Sequence, residues 1–327
     1  MAIAESRDRD RPFARTVPLA GERAAVRILH RDGWRLEGCT AEIVRESRFR
    51  PVFRYRVSYT DPATGVGYER ILIGKADYRR GGESTYDFMR RLWSAGFGDH
   101  PDMAIPEPVA YVDDLSLLLQ TEAPGRCLYE WLAGPASGVA TARAAGKWLS
   151  RLHALRIDGG ARLPADYEPR KLGTYHAGLA EALPDRAARV GELTSRALDA
   201  LRPFEHEMAV PTHGDYQPKN IYLDGSRVTV IDWDRGALGH PARDLGHFLG
   251  QSLTMSFARS GTFERVRPWN DSFLDGYGAG NPSDGALRAY VARTLLEVLY
   301  YKLVVKPVRD RGFVDPWLEE LELLLES

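Results

Sequence analysis

The chain has 327 residues, of which 44% are hydrophobic and 27% charged, the balance of an ordinary soluble globule with room for two lobes or two domains. Lys and Arg (44) nearly match Asp and Glu (45), so the net charge of −1 marks the chain neither for nucleic acid nor for an anionic membrane surface. Cys39 and Cys127 form no zinc or CxxC pattern, which points to a reducing, cytoplasmic setting; residues 1–15 alternate acids and arginines without the apolar core of a signal peptide, and no apolar run approaches the ~18 residues that span a bilayer.

In chain order, residues 1–20 are expected to be flexible or loosely packed, a reading that lies outside the residues the structure describes. Thr40–Arg45 and Val52–Tyr59 read as strands, joined by Glu46-Ser-Arg-Phe-Arg50. A turn cluster, Asp61–Gly67, leads to a third strand, Tyr68–Ala76, which carries Ile71, Leu72, Ile73 and Lys75. A helix is predicted over Ser84–Ala95, with Phe88, Leu92 and Trp93 apolar. Val109–Val112 and Leu115–Thr121 complete the order β-β-β-α-β-β. Ala123-Pro-Gly125 breaks the pattern, and the chain then turns helical: a short helix at Leu128–Leu132, then Thr141–Leu155, Leu172–Leu183 and Asp185–Phe204. Residues 211–235 interrupt, and helices follow near 242–258, 271–278, 285–304 and 315–326. The division therefore falls near residue 122, giving a β-rich part over 1–121 and a helical part over 122–327. A nucleotide cleft is expected at that boundary, because ligand sites favour inter-domain crevices.

The interruption holds the chemistry. His213-Gly-Asp-Tyr-Gln-Pro-Lys-Asn220 is followed by Ile231-Asp-Trp-Asp234, and the two are joined by apolar runs around Asp224-Gly225, a hairpin signal. The hairpin returns Asp232 to the place that Asn220 has just left. Asp215 can orient or deprotonate a hydroxyl. Asn220 and Asp232 are oxygen donors of the kind that hold Mg²⁺ against nucleotide phosphates, an ion that needs only one or two protein groups. H-x-D-x-x-x-x-N with a following metal-binding Asp matches the kinase catalytic loop.

In these two motifs, and in Asp244-Leu-Gly, the chain resembles the aminoglycoside phosphotransferase family, over roughly residues 40–300. The resemblance implies an α+β, two-lobed protein-kinase-like fold with a small antiparallel sheet and one helix in the first lobe. It implies transfer of the γ-phosphoryl group of ATP (or GTP), with Mg²⁺, to a hydroxyl of an aminoglycoside-like or other small alcohol, in a cytoplasmic enzyme with no nucleic-acid or membrane partner. It also implies that Asp244 braces the catalytic loop. A protein kinase and a non-catalytic nucleotide-binding module are the alternatives. The short stretch from Asp232 to Asp244 leaves no room for an activation loop, and the full Asp215, Asn220, Asp232 set disfavours the second.

The remaining candidates lie in the first half. Lys75 on the third strand is expected to reach nucleotide phosphates, with a helix acid as partner: Glu83, or Asp87 unless a Ser84-x-x-Asp87 capping box gives Asp87 a structural job. Ser47 and Arg48, with backbone amides, either cradle phosphate or form a plain charged turn, since no glycine triad is present. Gln120 to Ala123, including Glu122, form the hinge whose backbone would meet the adenine edge. Lys219 either offsets transferring charge or faces solvent. His153 reads as a satisfied core histidine, and His240 and His247 show no ligand spacing. Eleven acids against eight Lys or Arg in residues 262–327 give a mild acidic bias, which suits a cationic acceptor or a solvated helical surface.

Overall fold

Strand β2 (Val52–Thr60) sets the first unit, because Phe53, Tyr55 and Val57 alternate inward from one pleated face. In the computed structural model, which describes residues 21–26, 35–79, 82–132, 137–204, 209–280 and 282–326, β2 pairs antiparallel with β1 (Arg35–Arg45) and β3 (Gly67–Ala76). Strands β4 (Pro108–Val112) and β5 (Leu117–Thr121) complete a five-stranded antiparallel sheet in the order β1-β2-β3-β5-β4. Leu72, Ala76, Leu117 and Leu119 close its core with the β2 residues. Helix α1 (Glu83–Leu92) lies against β4, with Tyr86 stacked on Tyr111 at 6.5 Å. The described residues of this unit fall within 21–100 and 104–124.

Two expectations change here. β1 begins five residues earlier than expected, at Arg35. It is an edge strand exposed along most of its length and bulged near Leu36 and Ile43, so no in–out alternation announces its start. The capping box does not form: α1 is capped at Gly82 without a side-chain hydrogen bond, which places Ser84 inside the helix. The Gly82 N–H instead donates to the Tyr111 hydroxyl at 3.2 Å.

The second unit comprises residues 101–103 and 125–327. Strand β6 (Arg126–Cys127) is followed by a single 3-10 turn, Leu128–Glu130, shorter than the predicted helix. Helices α2 (Ser137–Ala154), α3 (Tyr167–Ala182) and α4 (Ala187–Leu201) precede strand β7 (Val210–Thr212). The hairpin β8 (Ile221–Asp224) and β9 (Arg227–Val230) pairs as the Asp224-Gly225 signal predicts, and β8 also pairs with β6. Strand β10 (Ala237–Gly239) returns to pair with β7. Helices α5 (Ala242–Ser260), α6 (Arg267–Tyr277), α7 (Asp284–Tyr300) and α8 (Val314–Glu326) complete the unit.

Helix α2 crosses α6 at a point where side chains are absent. A Cβ on Gly146 would stand 2.0 Å from the Phe273 carbonyl oxygen, and one on Gly276 2.1 Å from the Arg143 carbonyl oxygen, so both positions require glycine. Helix α5 is buried nearly all round, from Ala242 to Ser256, and packs along α7. These two helices and α2 form the platform on which the motif loops rest.

Candidate active site

The loop after β7 is pinned from below before any functional side chain is placed. Asp244, in the first turn of α5 and fully buried, accepts the His213 N–H at 2.6 Å through Oδ2 and the Gly214 N–H at 2.7 Å through Oδ1. His153 of α2 donates to the same Oδ2 at 3.2 Å and takes the Tyr277 hydroxyl proton on its other nitrogen at 2.9 Å. His153 is thus the satisfied core histidine that its helical position predicted, and it links α2, α5 and α6. Burial works against the Asp244 charge, but the His153 hydrogen bond leads the groups that outweigh it, and the pKa falls to about 2.

Gly214 has φ +77°, the left-handed region that glycine enters without strain. A Cβ there would lie 2.4 Å from the Arg235 carbonyl oxygen and 2.5 Å from Arg243 Nη1. Gly214→Ala is expected to lower stability by roughly 2–5 kcal/mol, from left-handed strain plus overpacking, as read by urea unfolding.

Three aromatic rings seat the two motif loops. Tyr216 is buried between Trp148, stacked at 5.8 Å, and Phe248 at 5.8 Å, and its hydroxyl donates to the Ala145 carbonyl at 2.8 Å. Trp233 packs on Trp148 at 6.0 Å and on the His213 ring at 4.6 Å, with its indole N–H on the Val230 carbonyl. The His213 ring joins the loops directly. Its Nε2–H donates to the Ile231 carbonyl at 2.9 Å, and its Nδ1 accepts the Asp215 N–H at 3.2 Å. Burial lowers the pKa of His213 against the pull of Asp244 and Asp215, consistent with a neutral ring in that tautomer.

On this base the structure brings Asp215, Asn220 and Asp232 together. The Asn220 side chain, 7% exposed, gives both N–H bonds to Asp215, one to its carbonyl at 2.9 Å and one to Oδ2 at 3.2 Å. The Ile231 N–H donates to the Asn220 carbonyl at 2.9 Å, which sets Asp232 beside Asn220. Asp232 has φ +72°, a conformation that non-glycine residues adopt chiefly at functional sites and turns. Burial would raise the Asp215 pKa, but the His247 hydrogen bond leads the groups that together outweigh it, Arg235 among them, and the carboxylate lies below its ordinary value.

The sequence reading missed His247. Its Nε2 stands 2.9 Å from Asp215 Oδ1, although no metal-ligand spacing marks it. The available signal was its position three residues after Asp244 on a helix, which puts both on one face. Arg235 was missed too; it lies 3.9 Å from Asp215 Oδ1 and 3.1 Å from Glu297 Oε1.

In the first unit, Lys75 is half-buried on β3, paired across the sheet with Val52 and Leu118, and Glu83 opens α1 with an exposed side chain. The Ser47 hydroxyl accepts the Arg50 N–H at 3.1 Å, and Arg48 lies over the Phe49 ring at 5.1 Å, so both have local structural work in the turn. Gln120 is buried on β5. The Glu122 carboxylate takes two bonds from Arg54, at 3.0 and 2.5 Å. Lys219 is exposed, 5.0 Å from the Tyr129 ring.

Four of the eleven acids in residues 262–327 lie in ion pairs at the surface. Glu264, Asp275, Asp315 and Glu322 are tied to Arg267, Arg143, Arg186 and Arg189. Of the eleven, Glu297 is the one drawn into the Asp215 neighbourhood, through Arg235 and His247.

Two short loops, a brace from the next helix and a hairpin between them define a kinase-like phosphotransferase core. A family model described as the phosphotransferase enzyme family matches residues 75–290, and the chain belongs to that family. Solved structures agree in fold. A spectinomycin phosphotransferase in complex with ADP and spectinomycin is 13% identical at TM-score 0.57, covering 88% of this chain and 92% of that one. A choline/ethanolamine kinase family protein from Mesorhizobium loti is 16% identical at TM-score 0.56, covering 83% and 85%. An amicoumacin kinase in complex with AMP-PNP, Ca²⁺ and its ligand is 17% identical at TM-score 0.56, covering 86% and 87%. Among curated proteins, acyl-CoA dehydrogenase family member 11 of Pongo abelii and of Homo sapiens are each 25% identical over 181 residues, or 51% of this chain. The chain spans only 22% of the length of those relatives. No helix among the described residues is long and apolar enough to cross a membrane.

Proposed function

We propose that this phosphotransferase moves the γ-phosphoryl group of ATP or GTP, as its Mg²⁺ complex, to a hydroxyl of a small molecule in the cytoplasm. The observation that carries this reading is the hydrogen-bonded pairing of Asp215 with Asn220, with the strained Asp232 beside them. Asp215 accepts the hydroxyl proton. The Oδ1 of Asn220, which its Nδ2 bonds to Asp215 leave uncommitted to that residue, and the Asp232 carboxylate suit a hard cation, and two protein oxygens are what nucleotide-bound Mg²⁺ needs. When bound, Mg²⁺ would supply positive charge to the phosphate oxygens. Lys75, oriented by Glu83, would hold the phosphates, with Ser47 and Arg48 covering them and the Gln120 and Glu122 backbone meeting the base. Most of the rate comes from alignment and charge stabilisation. Structures of similar fold carry ADP or AMP-PNP, and the names of those proteins specify antibiotic or choline/ethanolamine acceptors, which supports a small alcohol as the acceptor here.

The test is an ATP-consumption screen with aminoglycosides, sugars and amino alcohols, run beside Asp215→Asn. Consumption on none of them, or equal consumption by the variant, refutes the reading. Asp232→Asn gives a second check. Asparagine tolerates the left-handed backbone, so the change removes charge and little else. The Mg²⁺ concentration for half-maximal turnover should rise by at least about 10–100-fold, the loss typical when even a group supporting a metal ligand is removed. An unchanged Mg²⁺ requirement would remove Asp232 from the metal site.

A further inference from the structure

The two carboxylate oxygens of Asp215 are not equivalent. Oδ1 accepts the Gln217 side-chain N–H at 2.9 Å, faces His247 Nε2 at 2.9 Å, and has Arg235 Nη1 at 3.9 Å. Oδ2 accepts one bond, from Asn220 at 3.2 Å. A carboxylate oxygen offers about two lone-pair directions, so Oδ1 is filled and Oδ2 has one left.

His247 is held in place from several elements. Its side chain is 3% exposed, on α5. Nδ1 lies 3.6 Å from Glu297 Oε2 of α7. Glu297 is in turn bound by Arg235 at 3.1 Å and by Arg293, and Arg293 donates to Glu168 of α3 at 2.8 Å. A chain of buried charges thus runs from α3 through α7 to one oxygen of the catalytic carboxylate. An imidazole used only for packing would not need a carboxylate at each nitrogen.

Resting on the phosphotransferase reading, we propose that His247 is a positioning residue: by occupying Oδ1 of Asp215 it makes Oδ2 the oxygen that receives the acceptor's proton. In the step it serves, the acceptor O–H bond breaks and its proton goes to Oδ2. The acceptor oxygen bonds to the γ-phosphorus of the nucleoside triphosphate. The bond from that phosphorus to the β–γ bridging oxygen breaks, and its electron pair leaves on the nucleoside diphosphate. With Oδ1 filled, the carboxylate cannot rotate to offer the wrong oxygen, and the acceptor hydroxyl is drawn to the side on which Asn220 also lies.

Two arms test this on the full chain. The first uses no acceptor: imidazole ¹⁵N NMR should show His247 Nε2 protonated, with a resonance that moves in Asp215→Ala. A deprotonated Nε2, or a resonance indifferent to Asp215, overturns the proposal. The second measures Mg·ATP turnover with an alcohol from the screen. His247→Leu should lower kcat about tenfold or more while the KM for ATP stays within about threefold, and His247→Gln, which keeps a side-chain N–H donor, should recover most of the loss. In an Asp215→Asn background, His247→Leu should add nothing. Wild-type kcat in His247→Leu, a glutamine variant no better than leucine, or a full additional loss in the double variant each overturns the assignment. A chain that shows the NMR contact but phosphorylates no alcohol overturns the functional reading instead.

Discussion

Asp215→Ala is expected to lower turnover by about two to four orders of magnitude while leaving nucleotide affinity nearly intact, because in the proposed function the residue handles the acceptor's proton and not the nucleotide. Asp215→Asn should fall in the same range, since the amide keeps the shape and lacks the basic oxygen. The measurement is kcat on a productive alcohol, with nucleotide binding followed separately by calorimetry. The two substitutions differ in what they leave behind. Alanine strips the acceptor from His247, Gln217 and the Asn220 side chain at once. Asn220 then keeps only its bond to the Asp215 backbone carbonyl at 2.9 Å. Some loosening of the proposed Mg²⁺ site should therefore accompany alanine and be smaller with asparagine. Near-normal turnover in either variant would show that the proton leaves by another route.

The parts of this chain that announced themselves are those whose physics is local. Phe53, Tyr55 and Val57 alternate because β2 has one buried face, and Asp224-Gly225 makes its hairpin because the turn needs that chemistry. Helix α6 is the contrary case within local signals: it starts at Arg267, with Pro268 in its first turn, a start signal that apolar periodicity alone passes over. Edge strand β1 hid its first residues because neither face is buried enough to impose a period. Helix α5 is legible as a helix, yet its nearly complete burial erases the polar stripe that would orient it. His247 and Glu297 share the deeper difficulty. They meet because α5 packs along α7, fifty residues later, and no spacing within either helix records the crossing. The acidic surplus near the C-terminus was visible as composition, but the arginines that pair with Asp315 and Glu322 come from a segment far earlier in the chain and leave no mark in its spacing.

The largest structural effect is expected at Asp244. Asp244→Ala removes the acceptor for two backbone N–H groups and His153 at a fully buried position. Losing one member of such a buried charged set typically costs about 3–5 kcal/mol. For a unit of roughly 200 residues, where 1 kcal/mol shifts the midpoint by about 2–4 °C, the second unit should melt some 6–20 °C earlier. Asp244→Asn should recover only part of this, because one amide oxygen can serve one N–H while its NH₂ faces another donor. Turnover should fall with both, since the backbone that carries Asp215 begins at His213 and Gly214. The acid profile gives an independent reading of the same charge. The folded pKa is depressed to about 2 from an ordinary 3.8, so the stabilisation is fully present above the unfolded value and is lost as pH falls toward 2. Of the wild-type acid sensitivity between about pH 4 and pH 2, this group contributes on the order of 2 kcal/mol. That portion should be missing from Asp244→Asn when urea unfolding is followed across the window. An asparagine variant with the wild-type melting temperature and the wild-type acid slope would mean that the brace carries neither the fold nor the loop.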